Sequence, residues 1–210
     1  LNILLKREDI YHKSLFRSFN LCYGKELKYY QSKLDLEPFR KELFKKFISD
    51  EIIIMSMKKI SLSNQAWEKF LTTIRKKASY LISQREETVN SAELLFIIAL
   101  AEQCFLNEYI YSTTEEEKES IESIINRCQD DHINEINISI LACYFPLYKL
   151  LYRIPSLKSI SSSYKSFQEL IKYQILDPLK ELKLSKNIKR IGSISNHISQ
   201  KVKLQYEENP

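Results

Sequence analysis

The chain has 210 residues, of which 44% are hydrophobic and 28% charged, a composition typical of a folded globular protein and not of a disordered one. Its net charge of +5 is too small for this length to indicate, by itself, a nucleic-acid-binding protein. Phosphate- and dinucleotide-binding loops need clustered glycines, and the two glycines here, Gly24 and Gly192, lie far apart. We therefore expect no glycine-rich loop and no cofactor bound by this chain.

Residues 1–38 predict an N-terminal helical segment, which we interpret as a segment of its own or as the end of a preceding repeat region. Apolar residues recur there at helical spacing from Leu15 to Cys22, and Gly24 is placed to end that helix as its C-cap. A second short helix is expected around residues 26–33.

A helical domain is predicted over residues 39–210, beginning with an apolar stripe after Pro38. The run EIIIMSM at residues 51–57 has the composition of a short buried strand, but no second strand is available to pair with it. We therefore expect a helix or a loop there. From Ala66 to Ile82 the apolar residues keep a three- and four-residue rhythm, which predicts an amphipathic helix. Its solvent-facing side is expected to carry four basic residues, namely Lys69, Arg75, Lys76 and Lys77.

The stretch Ala92–Ser112 predicts the helix around which the fold is built. Asn90 and Glu93 have the spacing of a capping box at its start. Leu94–Ala101 contains eight apolar residues in a row, about two helical turns without a solvent-facing side. Because such a helix must be surrounded by others, we predict an all-α fold. Its architecture is expected to be an irregular multi-helix bundle or short solenoid around a central buried helix near residues 92–112.

The second half of the chain continues the helical pattern. Thr114 and Glu117 predict another capping box, with acidic residues in the first helical turn. Pro146 is placed to kink or interrupt the apolar segment 136–152. No 34-residue period recurs, so a regular tetratricopeptide array is not predicted within the chain.

Three further helix starts are expected towards the C-terminus. Ser166 and Glu169 are spaced to cap one helix. Asp177-Pro178 predicts an N-cap followed by proline at the first helical position. The last helix is expected to begin near Ser193–Ser195.

Glu102 breaks the apolar pattern of the central helix. At 100° per residue it falls opposite the polar arc that contains Gln103 and Asn107, among apolar neighbours that include Tyr109. A carboxylate there must be paired, hydrogen-bonded, protonated or at the edge of a cleft. We interpret it as one member of a structural pair with an Arg or Tyr of a packing helix. The alternative is a binding groove formed by Glu102, Gln103, Asn107 and Tyr109.

No catalytic or metal-binding residues are predicted. Asp130, Asp131 and His132, with Cys128 nearby, form one cluster, whereas zinc sites usually need two well-spaced ligand pairs. We interpret the cluster as a solvated turn at a helix end. The sequence has no G-x-S-x-G elbow, and its three histidines offer few candidate bases, so hydrolysis is not predicted.

The cysteines and the hydropathy pattern predict a soluble cytoplasmic protein. The four cysteines form no CxxC pair and lie mostly among apolar residues, as expected for buried reduced thiols inside cells. No apolar run approaches the ~18 residues that a membrane span needs, and no N-terminal signal is visible. We therefore expect no membrane partner.

Several stretches, read together, resemble one family. They are Leu100–Tyr109 (LAEQCFLNEY), the acidic run Glu115–Glu117, Tyr144–Leu147 (YFPL) and Ser199–Pro210 (SQKVKLQYEENP). They are similar to the helical region of bacterial tetratricopeptide-repeat/methyltransferase proteins. In that family the repeats often come first, the helical region follows, and an S-adenosylmethionine-dependent methyltransferase domain comes after it. The resemblance covers roughly residues 39–210 and includes no catalytic signature.

The resemblance implies that the chain is a fragment ending at the junction to an absent methyltransferase domain. S-adenosylmethionine would be the cofactor of that domain and not of this chain. The parent protein is then expected to be a methyltransferase, while the fragment itself is not an enzyme. We therefore predict a non-catalytic helical protein-interaction and scaffold module that helps to position a protein substrate.

Two alternative functions stay open. Arg40–Lys46, Arg75–Lys77 and Lys180–Arg190 could form a basic surface for nucleic acid or regulation, and such binding would weaken steeply with salt. The apolar residues of the N-terminal helices could instead join two copies of the chain as a homodimer. The thirteen tyrosines could line a peptide groove, although tyrosines at helical spacing more often pack in the core.

Overall fold

The fold is taken from a computed structural model. The structure describes residues 1–34, 42–84, 89–129, 133–188 and 196–208, apart from the side chains of 32–34, 42–44 and 206–208. Every regular element within these ranges is helical, which confirms the predicted all-α fold. Two compact units divide the chain, Leu1–Pro178 and Leu179–Pro210. Pro38 and the boundary expected beside it lie outside the described residues.

The described helices follow one another along the chain. Their bounds are α1 (Asn2–Leu5), α2 (Phe16–Leu34), α3 (Glu42–Ile48), α4 (Glu51–Lys59), α5 (Gln65–Ser83), α6 (Ser91–Leu106), α7 (Glu115–Gln129), α8 (Glu135–Leu141), α9 (Lys165–Ile171), α10 (Asp177–Ser185) and α11 (His197–Glu208). Three short 3-10 helices lie at His12–Leu15, Leu147–Leu150 and Pro155–Lys158, and a π-helical turn at Lys172–Leu176 joins α9 to α10.

Helix α6 is the centre of the first unit, as predicted. Nearly all of its side chains from Leu94 to Cys104 are buried, and it packs against α3, α4, α8 and α9. The predicted capping box at Asn90 and Glu93 is present. The helix ends at Leu106, however, and not near residue 112. Glu108 and Tyr109 adopt left-handed backbone conformations with φ of 57° and 59°, so the chain turns away there.

Helix α2 is longer than the sequence indicates. It runs through Gly24, so the prediction that this glycine ends a helix is wrong, as is the separate helix expected at residues 26–33. A glycine inside a helix costs about 1 kcal/mol relative to alanine. Burial of Phe19, Leu27 and Tyr30 on the same helix offsets that cost.

An aromatic cluster packs α2 and α3 against α5 and α6. The ring centre of Phe19 lies 4.9 Å from that of Trp67, whose Nε1 donates to Asn20 Oδ1 at 3.0 Å. Phe47 on α3 lies 5.0 Å from Phe70 on α5 and 6.1 Å from Phe96 on α6, centre to centre. The N-terminal helices therefore share one core with α5 and α6.

The elements after α6 agree in part with the predictions. Residues 51–57 are helical, and Pro146 interrupts the helical path between α8 and the 3-10 helix at Leu147–Leu150, as expected. Ser166 does not cap α9, because the N-cap position is Tyr164, whose backbone N–H donates to Ser162 Oγ at 3.0 Å. Asp177 is not an N-cap either, because it is the first helical residue of α10. The π-helical turn before it is already helical and accommodates Pro178, which has no N–H to donate.

The second unit holds the rest of α10 and α11. Asn196 Oδ1 accepts from Ile198 N at 2.8 Å at the start of α11, whereas the predicted start at Ser193–Ser195 lies outside the described residues. Apolar side chains of this unit are exposed: Leu182, Leu184, Ile188, Ile198, Val202 and Leu204.

Among the residues that the structure describes, no helix is long and apolar enough to cross a membrane.

Candidate functional site

Glu102 lies in a packing interface of α6. Its side chain is buried, and Oε1 lies 3.2 Å from Lys58 Nζ on α4. The same ammonium lies 3.1 Å from Glu169 Oε2 on α9. Glu102 is thus a member of a buried ion pair, although its partner is a lysine and not the Arg or Tyr that we predicted.

The protonation of Glu102 depends on the balance between burial and that pair. Burial raises the pKa of the Glu102 carboxyl, the charge of Lys58 opposes the shift, and the resulting pKa is about 7. The negative charge of Glu169 adds to the increase in pKa, since the two carboxylates compete for one ammonium.

The other three residues considered for a groove with Glu102 make contacts of their own. Gln103 is buried. In the orientation that suits both the oxygen and the nitrogen of its side-chain amide, the nitrogen donates to the carbonyls of Ile60 at 2.8 Å and Met57 at 3.2 Å. Tyr109 Oη donates to Ala142 O at 3.3 Å, in the turn after α8, and burial raises the pKa of this phenol. Asn107 takes the C-cap position of α6, and its amide atoms are buried. Glu102 and Gln103 thus contact neighbouring positions at the C-terminal part of α4, and Tyr109 contacts the turn after α8.

Arg75 is buried, so its predicted place on a basic solvent-facing surface is wrong. Its Nε donates to Glu117 Oε1 at 3.1 Å, and Nη2 donates to the carbonyl of Ser112 at 2.5 Å. The guanidinium carbon lies 4.4 Å from the ring centre of Tyr144, whose hydroxyl donates to the same Glu117 oxygen at 2.7 Å. These contacts compensate the charge that the fold has taken out of water.

Several other basic residues considered for that surface are exposed in the described part of the chain. Lys76 is exposed but pairs with Glu116, with 3.4 Å between Nζ and Oε2. Lys180, Lys183 and Lys186 are exposed on or just after α10. Arg40 and Arg190 lie outside the described residues.

An open pocket of about 650 Å³ lies between α2 on one side and α3 with the start of α4 on the other. We call it the α2–α4 pocket, and it belongs entirely to the first unit. It combines aromatic rings with charges of both signs and one thiol. Its lining residues are Cys22, Tyr23, Lys25, Glu26, Tyr29, Tyr30, Lys46, Phe47, Asp50 and Ile53.

One face of α2 supplies most of the pocket. Cys22, Glu26 and Tyr29 follow one another at four- and three-residue spacing, and Tyr23 and Tyr30 are seven residues apart, so they share that face. Tyr30 is buried against Phe47, with ring centres 4.7 Å apart. Because Phe47 also contacts the core aromatic cluster, the floor of the pocket is a packed surface.

Asp50 closes one end of the pocket and fixes it to α4. It is the N-cap of α4, and its Oδ1 accepts from Ile52 N at 2.8 Å and from Ile53 N at 3.2 Å. Across the pocket, Tyr23 Oη on α2 donates to the same carboxylate, with 3.3 Å to each oxygen. This contact holds α2 beside the start of α4.

The phenol groups of Tyr23 and Tyr30 have pKa values above the ordinary value and are protonated at neutral pH. Burial raises the pKa of Tyr23, and the negative charges of Asp50 and Glu26 raise it further. Burial also raises the pKa of Tyr30, followed by the charge of Glu26.

Among the four cysteines, all of which the structure describes, Cys22 is the one with a solvent-accessible side chain. All four cysteines are free, Cys22 is exposed, and the other three are buried. Burial raises the pKa of Cys128 to about 11 and holds that of Cys143 well above its ordinary value. A thiol reagent should consequently reach Cys22, inside the pocket, before the others.

Within the described ranges, no group of three or more His, Cys, Asp and Glu side chains is arranged to hold a metal ion. Asp130, Asp131 and His132, the cluster considered from the sequence, lie outside those ranges.

Sequence reasoning missed the α2–α4 pocket. The spacing of Cys22, Glu26 and Tyr29 indicates a shared helix face, but the opposite wall of the pocket comes from later residues, from Lys46 to Ile53. Comparison with known proteins adds no guide to the pocket, since no protein-family model, curated protein or solved structure matches the chain.

Proposed function

We propose that the chain is a non-catalytic helical protein-interaction module, and that a partner protein inserts a side chain into the α2–α4 pocket. The observation that carries this proposal is the pocket itself, about 650 Å³ of open space with a packed aromatic floor. Pockets of roughly 300–1,000 Å³ are typical of specific ligand sites, and buried anchors in such pockets dominate many protein interfaces.

The chemistry of the lining supports a protein partner. Tyrosine rings offer large rigid contact areas together with a polar hydroxyl, which is why they are enriched at protein interfaces. Tyr29 is half-exposed and sits beside charges of both signs, Lys25 and Glu26. Such a surface can contact the apolar stem of a partner side chain and the polar groups around it.

Two parts of the proposal rest on the sequence alone. The resemblance of Leu100–Tyr109 and Ser199–Pro210 to the methyltransferase family suggests that the partner is a protein substrate held for a methyltransferase domain. The free thiols suggest a reducing compartment such as the cytoplasm.

Alkylation of Cys22 provides a direct test, because this thiol lines the pocket and the other three are buried. The rate of its reaction with iodoacetamide is followed by mass spectrometry, with and without a pool of random nonapeptides. We expect the pool to slow alkylation of Cys22 but not that of N-acetylcysteine in the same tube. An unchanged rate for Cys22 would contradict the proposed function.

A matched pair of variants locates the effect. Tyr29 and Tyr80 are similarly exposed, at 50% and 55%, but Tyr29 lines the pocket and Tyr80 lies on α5. Tyr29→Ala should abolish the protection of Cys22 by the peptide pool, and Tyr80→Ala should leave it intact. Equal protection in both variants would place the peptide elsewhere.

A further inference from the structure

One ammonium group lies between two carboxylates where α4, α6 and α9 meet. Lys58 Nζ on α4 donates a hydrogen bond to Glu169 Oε2 on α9 at 3.1 Å. Glu102 Oε1 on α6 forms an ion pair with the same nitrogen at 3.2 Å, but among the described residues this oxygen accepts no aligned hydrogen bond. The hydrogen-bonded partner of Lys58 is therefore the carboxylate of α9, and the buried carboxylate of α6 lies beside that bond.

The charges of these three groups do not balance when all are ionised. One positive and two negative charges then lie together, and one bound proton makes the cluster neutral. The side chain of Glu102 is 9% exposed and that of Glu169 38%. Because burial penalises a charged carboxylate most where water is most excluded, the proton belongs on Glu102. The pKa of Glu102, which burial raises to about 7 against the opposing charge of Lys58, agrees with this assignment.

The charged groups that face Glu102 come from two of the helices packed against α6. They are Lys58 on α4 and Glu169 on α9, and no described group of α3 or α8, which also pack on α6, shifts the pKa of Glu102. A second cation, the exposed Lys165 on α9, lies 3.9 Å from Glu169, measured from Nζ to Oε1. Water and Lys165 can therefore solvate Glu169 when Lys58 moves towards Glu102.

Helix α9 depends on its tertiary contacts. It has seven residues, too few for a helix that is stable by itself in water. Phe167 and Leu170 are buried on its apolar side, and the hydrogen bond from Lys58 to Glu169 attaches its polar side to α4. A short element of this kind can open locally while the rest of the domain stays folded.

We propose that Lys58, Glu102 and Glu169 form a pH-sensitive switch that controls local opening of α9. With Glu102 protonated, Lys58 is bound by Glu169 and holds α9 to α4. When Glu102 ionises, it competes for the ammonium and repels Glu169, so α9 opens more often as pH rises through neutrality. This inference concerns one helix of the first unit and is independent of the α2–α4 pocket.

Amide hydrogen exchange of the full chain between pH 6 and 8 tests the switch, with rates corrected for the intrinsic effect of pH on exchange. Opening of α9 lets Glu102 return to its ordinary pKa of 4.5, so opening releases a proton wherever the closed form holds one. Closed α9 is therefore favoured most at low pH, and this preference is lost as pH rises through about 7. Protection of the α9 amides should fall about tenfold from pH 6 to pH 8.

Low concentrations of urea separate local opening from global unfolding. Local opening exposes little surface, so exchange of the α9 amides should barely respond to urea, whereas exchange of the buried α6 amides through global unfolding should accelerate. If the α9 amides exchanged only together with those of α6, or if their protection did not change with pH, the switch would be ruled out.

Variants then identify the groups. Glu102→Gln cannot ionise, so protection of α9 should be independent of pH, and the exposed control Glu119→Gln on α7 should keep the tenfold fall. Glu169→Gln, at a more exposed position, leaves Lys58 to Glu102 at every pH, so protection of α9 should already be low at pH 6 and change less than about twofold up to pH 8. A tenfold fall that persisted in either Glu102→Gln or Glu169→Gln would overturn the assignment.

Discussion

At the scale of single residues, the burial of Arg75 is the most consequential departure from the sequence pattern. Only 1% of this residue is exposed, and its charge is compensated by Glu117, by the carbonyl of Ser112 and by the ring of Tyr144. Glu117 also closes the predicted capping box of α7, since its Oε2 accepts from Thr114 N at 2.8 Å. One glutamate thus serves both a helix start and a buried ion pair.

Truncation of Arg75 should destabilise the protein strongly. Arg75→Ala leaves the carboxylate of Glu117 buried without its cation, and breaking a buried pair in this way costs about 3–5 kcal/mol. The free energy of unfolding measured by urea denaturation checks this.

The neighbouring residue Lys76 is the matched control. Its pair with Glu116 is solvent-exposed, so Lys76→Ala should leave the urea midpoint nearly unchanged. If the two variants lost similar stability, the buried network would not be the cause.

The helical spacing of α5 already indicated that Arg75 lies at the buried face. It lies four residues after Leu71 and three before Ala78, both buried, so the helical spacing places it at the apolar stripe. Its residue type led to the opposite prediction, because arginine is seldom fully buried unless it is paired. The partner that makes burial possible, Glu117, is 42 residues away and cannot be inferred from local spacing.

At the scale of elements, Lys58 joins three helices. Its ammonium on α4 lies within 3.2 Å of Glu102 on α6 and 3.1 Å of Glu169 on α9. Burial lowers the pKa of Lys58, but the attraction of Glu102 and Glu169 outweighs burial and raises it overall. The lysine therefore stays charged, and Glu102 is the member of this cluster that titrates near neutral pH.

The stability of the protein should depend on pH through Glu102. Its pKa in the folded state, about 7, lies above the ordinary value of 4.5, so the folded state binds more protons between these two values. The contribution of Glu102 is therefore largest below pH 4.5 and is lost as pH rises through about 7. The loss should be roughly 1–3 kcal/mol.

Glu102→Gln tests this assignment. Glutamine mimics the protonated carboxyl, so the variant should lose less stability than the wild type between pH 4.5 and 8. Thermal and urea unfolding at several pH values would show the difference, with Glu119→Gln as the control. Parallel pH profiles for wild type and Glu102→Gln would mean that Glu102 is not the titrating group.

Helix starts were predictable where their signals are local. The capping boxes at Asn90–Glu93 and Thr114–Glu117 formed as expected, since the interacting groups lie three residues apart. The end of α6 was not predictable, because it depends on Glu108 and Tyr109 adopting positive φ without a glycine. Gly24 was predicted to end a helix, but α2 continues through it, because the tertiary packing of α2 outweighs the low helix propensity of glycine.

At the scale of the whole molecule, the all-α fold and its central helix followed from apolar periodicity, whereas the α2–α4 pocket did not. The pocket depends on contacts between distant parts of the chain, such as Tyr23 with Asp50, 27 residues apart. Six of its ten lining residues are charged or exposed, so they do not belong to the apolar pattern from which the core was predicted. The groove considered at Glu102 stays a prediction, and Glu102, Gln103 and Tyr109 contact α4 and the turn after α8.

The central claim is that a protein partner binds in the α2–α4 pocket, and amide hydrogen exchange tests it most directly. The full chain would be compared with and without the peptide, isolated from the random nonapeptide pool, that protects Cys22 best. The account predicts slower exchange in α2 and at the start of α4, with α7 unchanged. Protection confined to α7 or α11, with α2 unaffected, would contradict it.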